Sequence, residues 1–279
     1  MVTHRLFISV DLIYANKTIT LLGRKYTTFI TPAGWTFTIW TFIYAWQLLH
    51  VVYNLSLIVR KTNGGNYLYV FPGHVHWPFY FMFIINNGFI TGWIFVFINE
   101  MVVVSFVFLL LGTLSLVACG IIVCLSLNRA GSVLERSGNK KDVWFTRLIL
   151  LNGLAFYGTW GAVATVINLL QVLKYDAGVA DDYQCAWIGL GIVTFLVITW
   201  FVLETFVLDW HLRYVFSQYI TLIVAFTGVY TRPYNTPFDD DYEYFIVSIL
   251  GMCCVLAAVK LLVMFIRGMR TPIQYKDMF

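Results

Sequence analysis

Charge is what this sequence has least of: only 11% of its 279 residues are Asp, Glu, Lys or Arg, against roughly 25% in soluble domains. With 60% of the chain hydrophobic, a water-soluble fold could not hide its apolar surface, which excludes the soluble globular class. The five cysteines follow no metal-binding or redox spacing. Cys119, Cys124, Cys253 and Cys254 fall inside apolar runs, where a small polarizable side chain packs as core. Cys185 alone is placed to meet an oxidising compartment, and the sequence offers it no evident partner. No nucleophile triad, phosphate-binding glycine loop or paired-carboxylate arrangement is visible, so the sequence does not read as an enzyme and no catalytic residue is assigned. The Asp-Arg-Tyr and Asn-Pro-x-x-Tyr sequences of rhodopsin-like receptors are missing too. His74 and His76 stand beside Trp77 and Pro78 without neighbouring carboxylates or thiols, so no metal site is expected. Neither a covalent cofactor nor a nucleic-acid partner is expected.

What the chain does have is long apolar runs, each about twenty residues, the length a helix needs to cross ~30 Å of hydrocarbon at 1.5 Å per residue. They predict spans at 35–59, 77–98, 101–127, 144–173, 185–208, 214–230 and 245–266. The fold class is therefore all-α, a polytopic transmembrane helical bundle of about seven spans, with the lipid bilayer as its first partner and a homo-oligomer left open. Asn99-Glu100 separates two runs that together are too long for one helix, which predicts a tight hairpin there. A second short turn is expected from Asp209 to Arg213.

Loops rich in Lys and Arg stay on the cytoplasmic side. Arg129, Arg136, Lys140 and Lys141 lie in the segment 128–142, and Arg267, Arg270 and Lys276 in the tail. The acidic residues sit elsewhere, with Asp176, Asp181 and Asp182 before the fifth span and Asp239, Asp240, Asp241 and Glu243 before the seventh. Alternation across seven spans puts both basic segments on one side and both acidic ones on the other. The N-terminus is thereby expected outside and the C-terminus inside. Arg5, Lys17, Arg24 and Lys25 run against this scheme. The preceding stretch 6–22 is semi-apolar but broken by Asp11, Asn16 and Lys17. It lacks the apolar core and cleavage site of a signal peptide, and reads either as an amphipathic surface helix or as the remnant of a further span. Asn16-Lys17-Thr18 and Asn54-Leu55-Ser56 match the glycosylation sequon; the second lies inside a span and is set aside.

The most distinctive stretch is Thr31-Pro32-Ala33-Gly34-Trp35-Thr36-Phe37-Thr38-Ile39-Trp40-Thr41-Phe42-Ile43-Tyr44. Pro32 suits a helix start, Gly34 would let another backbone approach, Trp35 suits the interfacial belt, and Trp40 and Tyr44 share a deeper face. An ordinary aromatic belt would use the same residue types. A second pattern, Tyr157-Gly158-Thr159-Trp160-Gly161-Ala162-Val163-Ala164-Thr165-Val166-Ile167-Asn168, places residues 157, 160, 164 and 168 along one helical seam.

Together these resemble the TspO/translocator family, the tryptophan-rich sensory proteins. The second helix of that family opens with Pro-Pro-Gly-Trp-x-Phe and continues to a Trp and a Tyr; here Pro32, Gly34, Trp35, Phe37, Trp40 and Tyr44 fit, and Ala33 replaces the second proline. Its fifth helix carries Tyr-x-x-Trp, then Ala-Thr, then Asn, as residues 157–168 do. Its middle helix has an Asn followed three residues later by Trp. Here Asn86, Asn87 and Trp93 are present but Ile90 stands where that Trp is expected, so the match is broken. The resemblance covers roughly residues 25–175. It divides the chain into a segment 1–30, in which the first helix is either absent or reduced to 6–22, TspO-like helices over 31–175, an added three-helix module over 183–268 and a cytoplasmic tail over 269–279. The resemblance implies a helical bundle with an aromatic pocket for a flat apolar ligand such as a porphyrin or another tetrapyrrole, or a sterol. Its candidate contacts are Trp35, Trp40, Tyr44, Asn87, Trp93, Tyr157, Trp160 and Asn168. Compact translocator proteins occupy the mitochondrial outer membrane in animals, but the added spans argue for a plasma membrane or endomembrane here.

Three ionisable residues fall at membrane depth, where a charge costs at least ~2.5–3.5 kcal/mol on insertion scales. Lys260 could snorkel toward the headgroups or pair with another helix. Glu204, four residues from Asp209, could reach the headgroups. His50 lies mid-span. An alternative function follows, solute or proton-coupled transport with Glu204 and Lys260 lining the path. A seven-helix receptor, or a retinal protein with Lys260 as its Schiff base, is a weaker one, since the sequence displays no counter-ion pattern around Lys260 and span count alone is a poor warrant.

Overall fold

The computed structural model describes residue 23, residues 25–232 and residues 240–275. The segment 6–22 and its sequon lie outside the described residues. In chain order the helices are α1 (Ile39–Val59), entered through a 3-10 turn at Gly34–Thr38, α2 (Trp77–Ile98), α3 (Val102–Arg136), α4 (Lys140–Phe145), α5 (Asn152–Gln171), α6 (Asp182–Val202), α7 (Asp209–Leu212), α8 (Ser217–Tyr230) and α9 (Asp240–Arg270). α4 runs into α5 through a wide π turn at Thr146–Leu151, and α6 ends in another at Leu203–Val207. The architecture is the expected all-α bundle, with six helices among the described residues long and apolar enough to cross a membrane.

The predicted hairpin forms at Asn99-Glu100, where Glu100 takes up the left-handed backbone, φ 61°, that so short a reversal demands. The predicted span 214–230 is a helix of only 14 residues, α8, about 21 Å long at 1.5 Å per residue and so shorter than the ~30 Å hydrocarbon core. Two helices run further than expected, whereas α8 starts later, at Ser217 and not at residue 214. α3 continues to Arg136, and α9 starts at Asp240, with Asp241 and Glu243 in its first turn and Arg267 and Arg270 in its last. Acid at the N-terminus and base at the C-terminus both complement the helix dipole, so charged flanks that hydropathy trims away are good helix ends. α6 is capped likewise: Gln184 N–H donates to Asp181 Oδ1 at 2.7 Å and Asp181 N–H to Gln184 Oε1 at 3.1 Å.

α5 is the central helix. The apolar stretch of its span, Lys140–Asp176, is 61% buried inside the bundle, against 17–33% for the other long helices. It holds α8 by main-chain satisfaction. Buried Asn152 accepts from the N–H groups of Phe216 and Ser217 at 3.0 and 3.1 Å and donates through Nδ2 to Tyr214 O at 2.8 Å. The α8 N-terminus would otherwise leave donors unpaired where no water can reach them. At its other end α8 meets the start of α1. Ala33 N–H donates to Gly228 O at 2.8 Å, and a Cβ at Gly228 would overlap the Thr36 hydroxyl. The close backbone approach expected of Gly34 is therefore made by Gly228; a Cβ at Gly34 would meet open space. One continuous hydrophobic core includes Trp40 and Ile43 of α1, Tyr157 of α5, Leu190 of α6, Leu222 of α8 and Cys253 of α9.

Candidate functional site

Two clusters stand out. The first is aromatic and lies between the first half of α1 and the middle of α5. Trp40 is its hub, with ring centroids 5.7 Å from Tyr44, 6.0 Å from Tyr157 and 6.5 Å from Trp160, and Phe37 meets Trp160 edge-on at 6.0 Å. The spacings 40/44 and 157/160 supply this geometry, because residues three or four apart on a helix are neighbours on its surface. Trp40, Tyr157 and Trp160 are buried, whereas Tyr44 is 48% and Phe37 46% exposed, so the cluster reaches the outer, lipid-facing surface of the bundle. α1 is held against α5 by Trp46, whose Nε1–H donates to Ile149 O at 3.0 Å and whose ring lies over Gly153. The Trp160 indole N–H and the Gln47 Nε2, both buried, have no hydrogen-bond partner.

The remaining predicted contacts are placed elsewhere. Trp35 sits at the same end of α1, half-exposed, its Nε1–H donating to Thr231 Oγ1 at 3.0 Å. Asn168 is buried, but it faces α3, accepting from Ser105 Oγ at 2.7 Å. It ties two helices together, as a polar group in lipid commonly does. Asn87 is exposed and donates within its own helix to Phe83 O at 2.7 Å. Its neighbour Asn86 is the buried one, donating to Gly112 O at 2.9 Å with Oδ1 left unpartnered. Trp93 stacks on Phe97 at 5.8 Å beside a separate small core of Tyr26, Phe97, Ile98 and Val102. The structure thus brings together Trp40, Tyr44, Tyr157 and Trp160, and leaves Asn87, Trp93 and Asn168 outside that group.

The second cluster is charged. Lys260 Nζ lies 3.4 Å from Glu204 Oε2 and donates to Leu212 O at 3.1 Å, and the two residues are 1% and 0% exposed. Lys260 therefore pairs between helices and does not snorkel. Glu204 points into the bundle, not toward the headgroups, because the π turn at Leu203–Val207 rotates it and Thr205 inward. Gln218 Nε2 donates to Glu204 Oε2 at 2.6 Å and the Tyr219 hydroxyl donates to Oε1. The couple of Glu204 and Lys260, one of the readings the sequence offered for both residues, is thus in contact although the two lie on different helices. Next to this pair, Asp209 bonds Arg213 at 2.6 Å and Arg267 at 2.8 Å. Burial alone would raise the Asp209 carboxyl, but the two guanidinium groups outweigh it and hold it below the usual carboxylate range. Gln218 and Tyr219 were not among the sequence candidates. Their signal, a polar pair opening an otherwise apolar helix, is weak without a partner in view.

A family model described as TSPO-like protein matches residues 6–267. Comparison with curated proteins and with solved structures gave no match. The family match runs through both aromatic motifs and on through α6, α8 and α9, beyond the stretch 25–175 that the motifs alone cover. With that extent of match and six membrane-length helices, the chain belongs to the TSPO-like protein family and is a multi-pass integral membrane protein.

Proposed function

We propose that this TSPO-like protein binds a flat, hydrophobic ligand of the sterol or tetrapyrrole kind against the Trp40, Tyr44, Tyr157 and Trp160 cluster, in order to sense or move it. The observation that carries the reading is the hub at Trp40, where four rings from two helices meet at 5.7–6.5 Å and two of the aromatic residues in contact, Tyr44 and Phe37, stay half-exposed. Aromatic faces stack on fused or conjugated rings, and a cluster open on its lipid side admits a ligand that is itself dissolved in the bilayer. The activity is binding, not catalysis. In nanodiscs, titration with protoporphyrin or a sterol is expected to quench tryptophan fluorescence saturably. Tyr44→Ala and Trp160→Phe are each expected to weaken the ligand by about tenfold, equivalent to ~1.4 kcal/mol. Absence of saturable quenching, or quenching indifferent to both substitutions, would overturn the reading.

A second reading, solute or proton-coupled transport, is favoured by one observation: Glu204 and Lys260 are in contact and shut away from solvent, and ionisable pairs at membrane depth commonly mark a transport path. The probe is proton flux into liposomes carrying an entrapped pH-sensitive dye. Flux above that of protein-free liposomes, lost in Glu204→Gln, is the expected result. Flux at the protein-free level, or unchanged in that variant, counts against it.

A further inference from the structure

The aromatic cluster carries an asymmetry in its polar atoms. Two N–H groups that touch it, Trp160 Nε1 and Gln47 Nε2, are buried and have no partner. They come from opposite walls, Trp160 from α5 and Gln47 from α1, one turn beyond Tyr44. The Gln47 amide faces the Tyr157 hydroxyl, so it belongs to the same group of side chains. One turn further along α1, buried His50 lies against the rings of Phe79 and Phe83 at 5.1 and 5.2 Å with Nε2 also unpartnered. A buried amide or indole N–H left without an acceptor costs on the order of 1–3 kcal/mol, and in hydrocarbon no bulk water relieves it. The Tyr157 hydroxyl can take one of the two Gln47 N–H groups, which leaves the other and the Trp160 indole N–H without an acceptor in the cluster.

Charge completes the picture. Among the described residues, no lysine or arginine lies over the rings of Trp40, Tyr44, Tyr157 or Trp160. The cations of the second cluster are engaged there, Lys260 with Glu204, and Arg213 and Arg267 with Asp209. An ionised carboxylate brought here would be desolvated with no counter-charge, whereas a neutral carbonyl would accept from the waiting N–H groups at little desolvation cost.

Resting on the binding reading above, we infer that the cluster selects polycyclic ligands bearing a neutral carbonyl acceptor, the ketone or ester type, over their carboxylate and pure hydrocarbon counterparts. The rings of Trp40, Tyr44 and Tyr157 supply the apolar surface, and Trp160 Nε1–H and Gln47 Nε2–H supply the selectivity. Between the two ligand kinds considered, an oxidised sterol fits as it stands, and a tetrapyrrole fits better once its acid groups are masked.

The test uses two matched probe series in nanodiscs at fixed lipid concentration, read by tryptophan quenching. Cholest-4-en-3-one is expected to bind about tenfold tighter than cholestane, one hydrogen bond's worth. Protoporphyrin dimethyl ester is expected to bind at least tenfold tighter than the free acid. Trp160→Phe keeps a ring and removes the N–H, and Gln47→Leu keeps the volume and removes the amide. Each is expected to shrink the ketone-over-hydrocarbon preference severalfold, whatever the change in cholestane affinity itself, and a cooperative thermal melt followed by circular dichroism establishes that each variant folds. Equal affinity for ketone and hydrocarbon, a free acid that binds as well as its ester, or a preference untouched by both substitutions would each overturn the inference and leave the binding reading standing. If no probe in either series binds saturably, the binding reading itself fails.

Discussion

Replacing Lys260 by methionine is expected to cost about 3–5 kcal/mol of folding stability, the usual penalty for stranding one member of a buried ion pair. Glu204 would keep its bonds from Gln218 and Tyr219, but it would lose the cation at 3.4 Å and has no solvent to turn to, being 0% exposed. Converted at roughly 2–4 °C per kcal/mol for a chain of this size, the melting temperature in detergent should fall by about 6–20 °C. The companion variant decides what the loss means. Glu204→Gln together with Lys260→Met removes both charges, keeps acceptor and donor capacity at position 204, and is expected to recover most of the deficit, since a buried pair replaced as a unit is often close to neutral. A single Lys260→Met that melts within a degree or two of the parent would mean that water or lipid phosphate reaches Glu204. That outcome would remove the enclosed pair on which the transport reading leans.

This pair also marks the limit of what the sequence discloses. Runs of apolar residues placed the helices, and a polar pair in a stretch too long for one span placed the hairpin at Asn99-Glu100. Local spacing put Trp40 with Tyr44 and Tyr157 with Trp160, because residues three or four apart must share a face. What local spacing cannot supply is which face meets which helix. In a soluble helix the polar side declares the outside, but here lipid-facing and core-facing positions are both apolar, so periodicity carries little information about orientation. Asn168 therefore looked like part of the aromatic seam, and it turns instead to Ser105 on α3. Asn87 is the candidate contact, yet its neighbour Asn86 is the one that is buried. The π turn at Leu203–Val207 sends Glu204 inward against the expectation that it would reach the headgroups. α8 was legible as apolar sequence, but its shortness was not, because its N-terminus is completed by Asn152 from another helix. Gly34 and Gly228 exchange roles for the same reason: a close approach is a property of two surfaces, and only one of them was in view.

Acidification is the second perturbation with a large expected effect, and it acts through His74. This residue lies in the loop between α1 and α2, fully buried, with its Nε2 2.8 Å from the Tyr53 hydroxyl. Tyr53 in turn donates to Asp142 Oδ1 at 3.2 Å, and Asp142 takes a forked pair of bonds from Arg60 at 2.8 and 2.5 Å. Thr146 closes the network on the Asp142 main chain at 2.8 Å. Burial pushes the His74 imidazole down to about 4, against a favourable pull from Asp142 and with smaller opposing contributions from Arg60 and His76. In the unfolded chain it titrates near 6.5. Above pH 6.5 neither state binds the proton and His74 adds no pH dependence. Between there and about pH 4 the unfolded chain binds a proton that the folded protein refuses, so stability falls as pH falls, with a ceiling of about 3 kcal/mol. His74→Gln retains a hydrogen-bonding group for Tyr53 but cannot titrate. Melting curves from pH 7.5 to 4.5 are therefore expected to diverge, the parent losing about 2–3 kcal/mol more than the variant. His50 and every carboxylate are common to both proteins and cancel in the difference. Parallel curves would mean that His74 takes up its proton in the folded state as readily as in the unfolded one, and that the Tyr53–His74–Asp142 network opens before the bundle does.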